Sequence, residues 1–191
     1  MKYIFSFFLL LTLFLILPGH ALMHEESEGM SGLSATGAAA VMTPTPTPNY
    51  LLPYPGMLPD NPLYMLKAMR DRVINFLIAD SQKKAEFYLL QSDKRLNAGW
   101  YLFQQGKKNL AQSTISKGET YFDQAVSEAQ AAQTEGVDVK DLLAKMVTSS
   151  EKHQQILMQM ANKSNTQDKV FYESLDKKSD QLQKRVKKLL K

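Results

Sequence analysis

From residue 61 onward the apolar residues of this chain return every three or four positions, and no stretch sustains a period of two with turn pairs. A period near 3.6 lines up side chains on one face of a helix, whereas a half-buried strand needs alternation. The expected fold class is therefore all-α: an antiparallel bundle of four to five long helices. Spacing near 3.5 over several heptads implies packing close to a +20° crossing angle. The stretch from residue 50 to 191, about 140 residues, is the size of one domain. It can bury a real core if its helices pair. The chain has no cysteine, which rules out disulfides, thiolate metal sites and a cysteine nucleophile, so stability must come from burial.

Capping signals divide this region. The first helix is expected from Asn61, with Pro62 at its first position, to about Ile78. Leu63, Leu66, Met69, Arg70, Val73, Phe76 and Leu77 give it one mostly apolar face. Asp80 or Ser81 then caps a second helix, whose inner row is Ala85, Leu89, Ser92, Leu96, Gly99 and Phe103, with Trp100 beside it. Gly106 punctuates its end near Gln105. A third helix spans roughly Lys108 to Thr134, with Leu110, Thr114, Gly118, Tyr121, Ala125, Ala129 and Ala132 inward, and Gly136 ends it. Asp138 caps a fourth helix to about Asn162, with Leu142, Met146, Ser149, His153, Ile156 and Met160 in one row. A break over Asn162–Thr166 precedes a last helix, about Gln167 to Leu190, with Phe171, Leu175, Leu182, Val186 and Leu189 inward.

Residues 1–21 have the layout of a cleaved signal peptide: Lys2, then a mostly apolar run from Ile4 to Leu17, then Pro18-Gly19-His20-Ala21. The run is shorter than the ~20 apolar residues of a membrane span, and an uncleaved N-terminal membrane anchor is the alternative. Residues 22–49 read as a disordered Thr/Pro-rich linker, ending in Thr43-Pro44-Thr45-Pro46-Thr47-Pro48. Alternating Thr-Pro favours an extended polyproline II spacer. The expected location is secreted or extracytoplasmic, with the helical domain over 50–191.

The domain opens on Pro55-Gly56-Met57-Leu58-Pro59-Asp60-Asn61-Pro62-Leu63-Tyr64-Met65-Leu66-Lys67. Asp80-Ser81-Gln82-Lys83-Lys84-Ala85-Glu86 and Gln91-Ser92-Asp93-Lys94-Arg95-Leu96 follow. These three blocks resemble the DUF5667 domain family, whose pattern has Pro where Ser81 stands. The resemblance is carried by residues 51–105, within a family-like part of about 51–135. It implies a mostly helical domain of exported or membrane-anchored bacterial proteins, with no established activity.

The prolines at 53, 55, 59 and 62 lower the entropy of an extended segment before it docks. Leu51, Leu52, Tyr54, Met57 and Leu58 are then expected to lie across the bundle and seal one end. Tyr50, Tyr54 and Tyr64, with Trp100, are candidate partner-binding residues, since aromatic anchors recur in interface hot spots. An Asp93–Arg70 or Asp71–Arg95 pair between the first two helices is the expected ionic contact; a solvated face of weak surface pairs is the alternative.

Two metal candidates arise. Cleavage after Ala21 would leave Leu22-Met23-His24, whose amine, amides and imidazole suit Cu(II) or Ni(II) in a square plane. His153 with Met160, and Met158 on another face, is a soft cluster, though a methionine stripe usually fills core. Three histidines, no Gly-x-Ser-x-Gly turn, no Glu-x-x-His pair and no Gly-rich phosphate loop after a strand point away from an enzyme, and no cofactor is expected. Lys184, Arg185, Lys187, Lys188 and Lys191 make the last helix basic and amphipathic. That suits an anionic membrane or wall polymer, and equally the helix dipole. A protein partner in the envelope is expected; nucleic acid is not, despite a net charge of +4. The sequence thus predicts an exported, non-enzymatic interaction or sensing module, with a metal-responsive protein as the alternative.

Overall fold

The computed structural model describes residues 50–191. The expected signal peptide, linker and His24 lie outside the described residues. Five helices follow in order: α1 (Tyr64–Leu77), α2 (Ser81–Gln104), α3 (Lys108–Thr134), α4 (Lys140–Asn162) and α5 (Thr166–Leu189). No strand occurs among the described residues.

Of the expected caps Asp80 stands as read, whereas α4 starts from Val139 without a side-chain cap and Asp138 Oδ1 accepts from the Lys140 amide at 3.1 Å; Asn165 is a cap that the sequence pattern marks only as part of a break. Asp80 accepts from the Lys83 amide at 2.7 Å, and Asn165 accepts from the Asp168 amide at 2.9 Å. Each side-chain oxygen satisfies one of the amides that a helix start leaves orphaned. Gly106 turns the chain between α2 and α3 at φ 77°, a conformation that costs a glycine nothing. The first helix begins later than expected. Asn61 and Pro62 belong to a turn, in which Asn61 Oδ1 accepts from the Leu63 amide and the Asn61 carbonyl from the Tyr64 amide. Asn61 thus uses its side chain on a local turn instead of on a helix that starts with Pro62.

Short connections make α2–α3 and α4–α5 antiparallel hairpins. The two hairpins join through α3 against α5 and α2 against α4. The core between them is in two parts. One apolar cluster gathers Ala85, Leu89, Phe122, Val126, Leu143, Met146, Leu182 and Val186. The other gathers Leu96, Ile115, Ile156, Leu157, Met160 and Tyr172. Each fully buried Leu, Ile or Phe contributes about 1.5–3 kcal/mol relative to exposure. The inner row of α4 stands as expected; in α2 the expected Phe103 is only half-buried and Leu102 is the enclosed residue of the last turn. α3 also buries Ile115, Phe122 and Val126, which broaden its face beyond the expected row.

Helix α1 is oriented against its pattern. Its one buried residue is Asp71, and Leu66, Met69, Val73, Phe76 and Leu77 are all exposed. The expected Asp93–Arg70 and Asp71–Arg95 pairs do not form. Arg70 binds its neighbour Asp71 through Nε at 3.1 Å and Nη2 at 2.7 Å, and Asp93 is engaged inside the bundle. The entry segment is held more by polar bonds than by apolar sealing. Asn97 donates to the Pro53 carbonyl, and Lys67 Nζ to the carbonyls of Pro55 and Met57. Leu52 packs on the second cluster, while Leu51 and Tyr54 face outward. A run of prolines gives up amide donors and keeps carbonyls, so side-chain donors from α1 and α2 grip it.

Candidate functional site

Polar side chains fill the gap between the two apolar clusters. Ser92 and Asp93 come from α2, Glu119 from α3, Ser149 and His153 from α4 and Ser179 from α5, all buried. His153 is enclosed at the centre. Its Nδ1 lies 2.8 Å from Glu119 Oε1, and its Nε2 lies 3.1 Å from Asp93 Oδ1. Ser149 donates its hydroxyl to Asp93 Oδ1 at 2.6 Å, and Tyr50 donates its own to Asp93 Oδ2 at 2.6 Å. Burial alone opposes an imidazolium. The carboxylates at both ring nitrogens outweigh it and hold the His153 pKa up to about 9. Burial, and then Asp93, push the Tyr50 hydroxyl well above its ordinary value, so it stays a donor.

The contacts of this layer run between helices. A nucleophilic set would need a hydroxyl on the imidazole, but Ser149 sits on the carboxylate. Both nitrogens of His153 face carboxylates on different helices, and Met160, expected beside it as a soft ligand, fills the second apolar cluster. Among the described residues no group of three His, Cys, Asp or Glu side chains is arranged to hold a metal ion. What the layer does is fix register. A slip of any helix by one turn would leave a carboxylate or the imidazolium against apolar neighbours.

A second feature is a cleft of about 450 Å³ between α1 and the α2–α3 hairpin. Tyr64, Asp71 and Arg72 enter it from α1, Arg95 from α2, and Lys117 and Tyr121 from α3. The Arg95 guanidinium lies 5.2 Å from the Tyr64 ring centroid and 5.8 Å from that of Tyr121.

The third feature is the outer face of α1. Leu66 is 63% exposed, Met69 64%, Phe76 87% and Leu77 71%. At 100° per residue these, with Leu63 and Val73, share one side of the helix, bordered by Lys67 and Arg72. Among the described residues no helix is long and apolar enough to cross a membrane.

The four aromatic candidates are dispersed. Tyr50 closes the buried layer, Tyr54 is exposed, and Tyr64 lines the cleft. Trp100 stacks on Phe103 beside the second cluster, with Lys163 Nζ 5.2 Å from its ring centroid. The basic residues of α5 are partly committed: Lys184 to Asp180 at 2.6 Å, Arg185 to Asp123 at 2.5 Å and Lys187 to Glu151 at 4.0 Å. Lys188 and Lys191 make no ion pair among the described residues. Leu182 and Val186 are buried in the first cluster, so the apolar face of α5 is covered by the bundle.

These features define an antiparallel helical bundle with an ionic layer in its core and an outward-facing amphipathic helix at its start. The chain belongs to the DUF5667 family, a domain of unknown function, whose model matches residues 56–188. No curated protein and no solved structure matches it.

Proposed function

We propose that this protein is an exported, non-enzymatic helical module of the cell envelope that docks on the anionic surface of a membrane through the outer face of α1. The observation that carries this reading is the inverted placement of α1, whose apolar side chains face away from the bundle while its polar side meets α2 and α3. An interfacial helix needs an apolar face to enter the acyl boundary and cations at its edge to meet anionic headgroups. Arg72 stands at that edge, Lys67 borders the other edge with its ammonium on the carbonyls of Pro55 and Met57, and Arg70, within the face, turns its guanidinium to Asp71. A second copy of the chain fits less well. Pairing two such faces would bring their basic edges together. The apolar run at Ile4–Leu17, read as a signal, supports the compartment.

Co-sedimentation of the whole chain with vesicles tests the reading. Binding to phosphatidylglycerol-containing vesicles that falls with salt, and falls further in a Phe76→Ser/Leu77→Ser variant, is the expected result. Equal binding by that variant would remove α1 as the docking element.

A further inference from the structure

The cleft behind α1 has a charge balance that its own residues do not complete. Three cations from three different helices face it: Arg72, Arg95 and Lys117. None of them makes an ion pair among the described residues. The one carboxylate of the lining, Asp71, is bound through Oδ1 to Arg70, and its buried Oδ2 has no partner among the described residues. Arg72 and Lys117 are exposed, but Arg95 is only partly so. Burial lowers the Arg95 pKa, which reports a guanidinium that has lost hydration. The rings of Tyr64 and Tyr121 cover it, and the Tyr121 hydroxyl takes up part of its hydrogen bonding. Arginine in such a stacked position keeps its N–H fork directed edgewise, ready for an oxyanion. The Tyr64 hydroxyl, on a residue that also lines the cleft, has no partner among the described residues.

We infer that this cleft is a binding site for a phosphate group, with Arg95 as its anchor and Arg72 and Lys117 as the flanking cations. The number and placement of the cations favour phosphate over carboxylate. A carboxylate is planar, carries one charge and is satisfied by one arginine fork. A tetrahedral phosphate presents oxygens in several directions and carries up to two charges, which suits donors arriving from three helices. The phosphate is free, or it is the headgroup of a lipid. The anchor Arg95 and Lys117 lie on α2 and α3, away from the outer face of α1, so Lys117→Gln alone separates the site from α1 docking, whereas Arg72 also borders that face.

Titration calorimetry of the whole chain with inorganic phosphate, in phosphate-free buffer, tests the first source. Vesicles doped with phosphatidic acid, against vesicles doped with oleate to the same charge, test the second. Saturable phosphate binding, weakened about tenfold or more by Arg95→Gln and by Arg72→Gln/Lys117→Gln but unchanged by Arg185→Gln, is the result expected for a free phosphate. The exposed pair keeps the test sound should Arg95→Gln unfold the hairpin. A preference for phosphatidic acid over oleate that the same variants abolish assigns the site to a headgroup. That preference is independent of Phe76→Ser/Leu77→Ser, which lowers binding to both vesicles alike. Absence of saturable binding in both arms, or binding that the cleft variants leave intact, overturns the inference.

Discussion

His153 and Glu119 face each other across α4 and α3, with 2.8 Å between Nδ1 and Oε1, and neither side chain reaches solvent. With Asp93 on the other ring nitrogen, the imidazolium joins three helices through one ring. Removing it leaves two buried carboxylates without their cation. His153→Gln is expected to destabilise the domain by about 3–5 kcal/mol, measured by urea unfolding near neutral pH.

The same contacts set a pH dependence. The folded pKa of His153, about 9, lies above its ordinary 6.5. A raised pKa means that the folded state binds the proton more tightly than the unfolded state. The contribution is therefore complete below about pH 6.5, declines as pH rises, and is gone above about pH 9. A shift of this size corresponds to roughly 3 kcal/mol. Unfolding free energies across that window are expected to fall in the wild type, with this part of the slope missing in His153→Gln.

Most helix limits, and the Asp80 cap, were legible in the sequence because they are local. Lys108 to Thr134 is helical as read, Asp80 caps α2, and the chain breaks before Thr166. The ionic layer was not legible. His153 stood in the inner row of α4, but Glu119 is 34 residues away and Asp93 is 60. Each acid sits one place beyond an inner-row residue, Gly118 and Ser92, where periodicity alone reads a helix flank. The orientation of α1 was not legible either. Periodicity says which residues share a face, not what covers it, and Asp71 gave no sign that it would be the buried one.

Tyr50 ties the segment before α1 to the ionic layer through one hydroxyl. Tyr50→Phe keeps the ring and removes that bond to Asp93. The expected loss is about 1–2 kcal/mol, with faster proteolysis around residues 50–58 as the segment loosens.

Gly99 of α2 faces Ile115 and the Ala111 carbonyl of α3. A Cβ there would overlap the fully buried Ile115 side chain. Gly99→Ala is expected to cost about 1–3 kcal/mol despite its better helix propensity, and combining it with Ile115→Ala, which removes the overlapping Cγ1 and Cδ1, should cost less than the sum of the two single losses. Thermal unfolding of the single and double variants measures both effects.

The outward face of α1 is the centre of the functional account, and the absence of cysteine allows a direct probe. An environment-sensitive fluorophore placed at Phe76→Cys reports that face alone, and one at Ser127→Cys reports an exposed position on α3. On phosphatidylglycerol vesicles the emission from position 76 is expected to shift strongly to the blue and become protected from aqueous quencher, while position 127 stays in water. Emission at position 76 that remains water-like on vesicles to which the chain is bound would contradict the account.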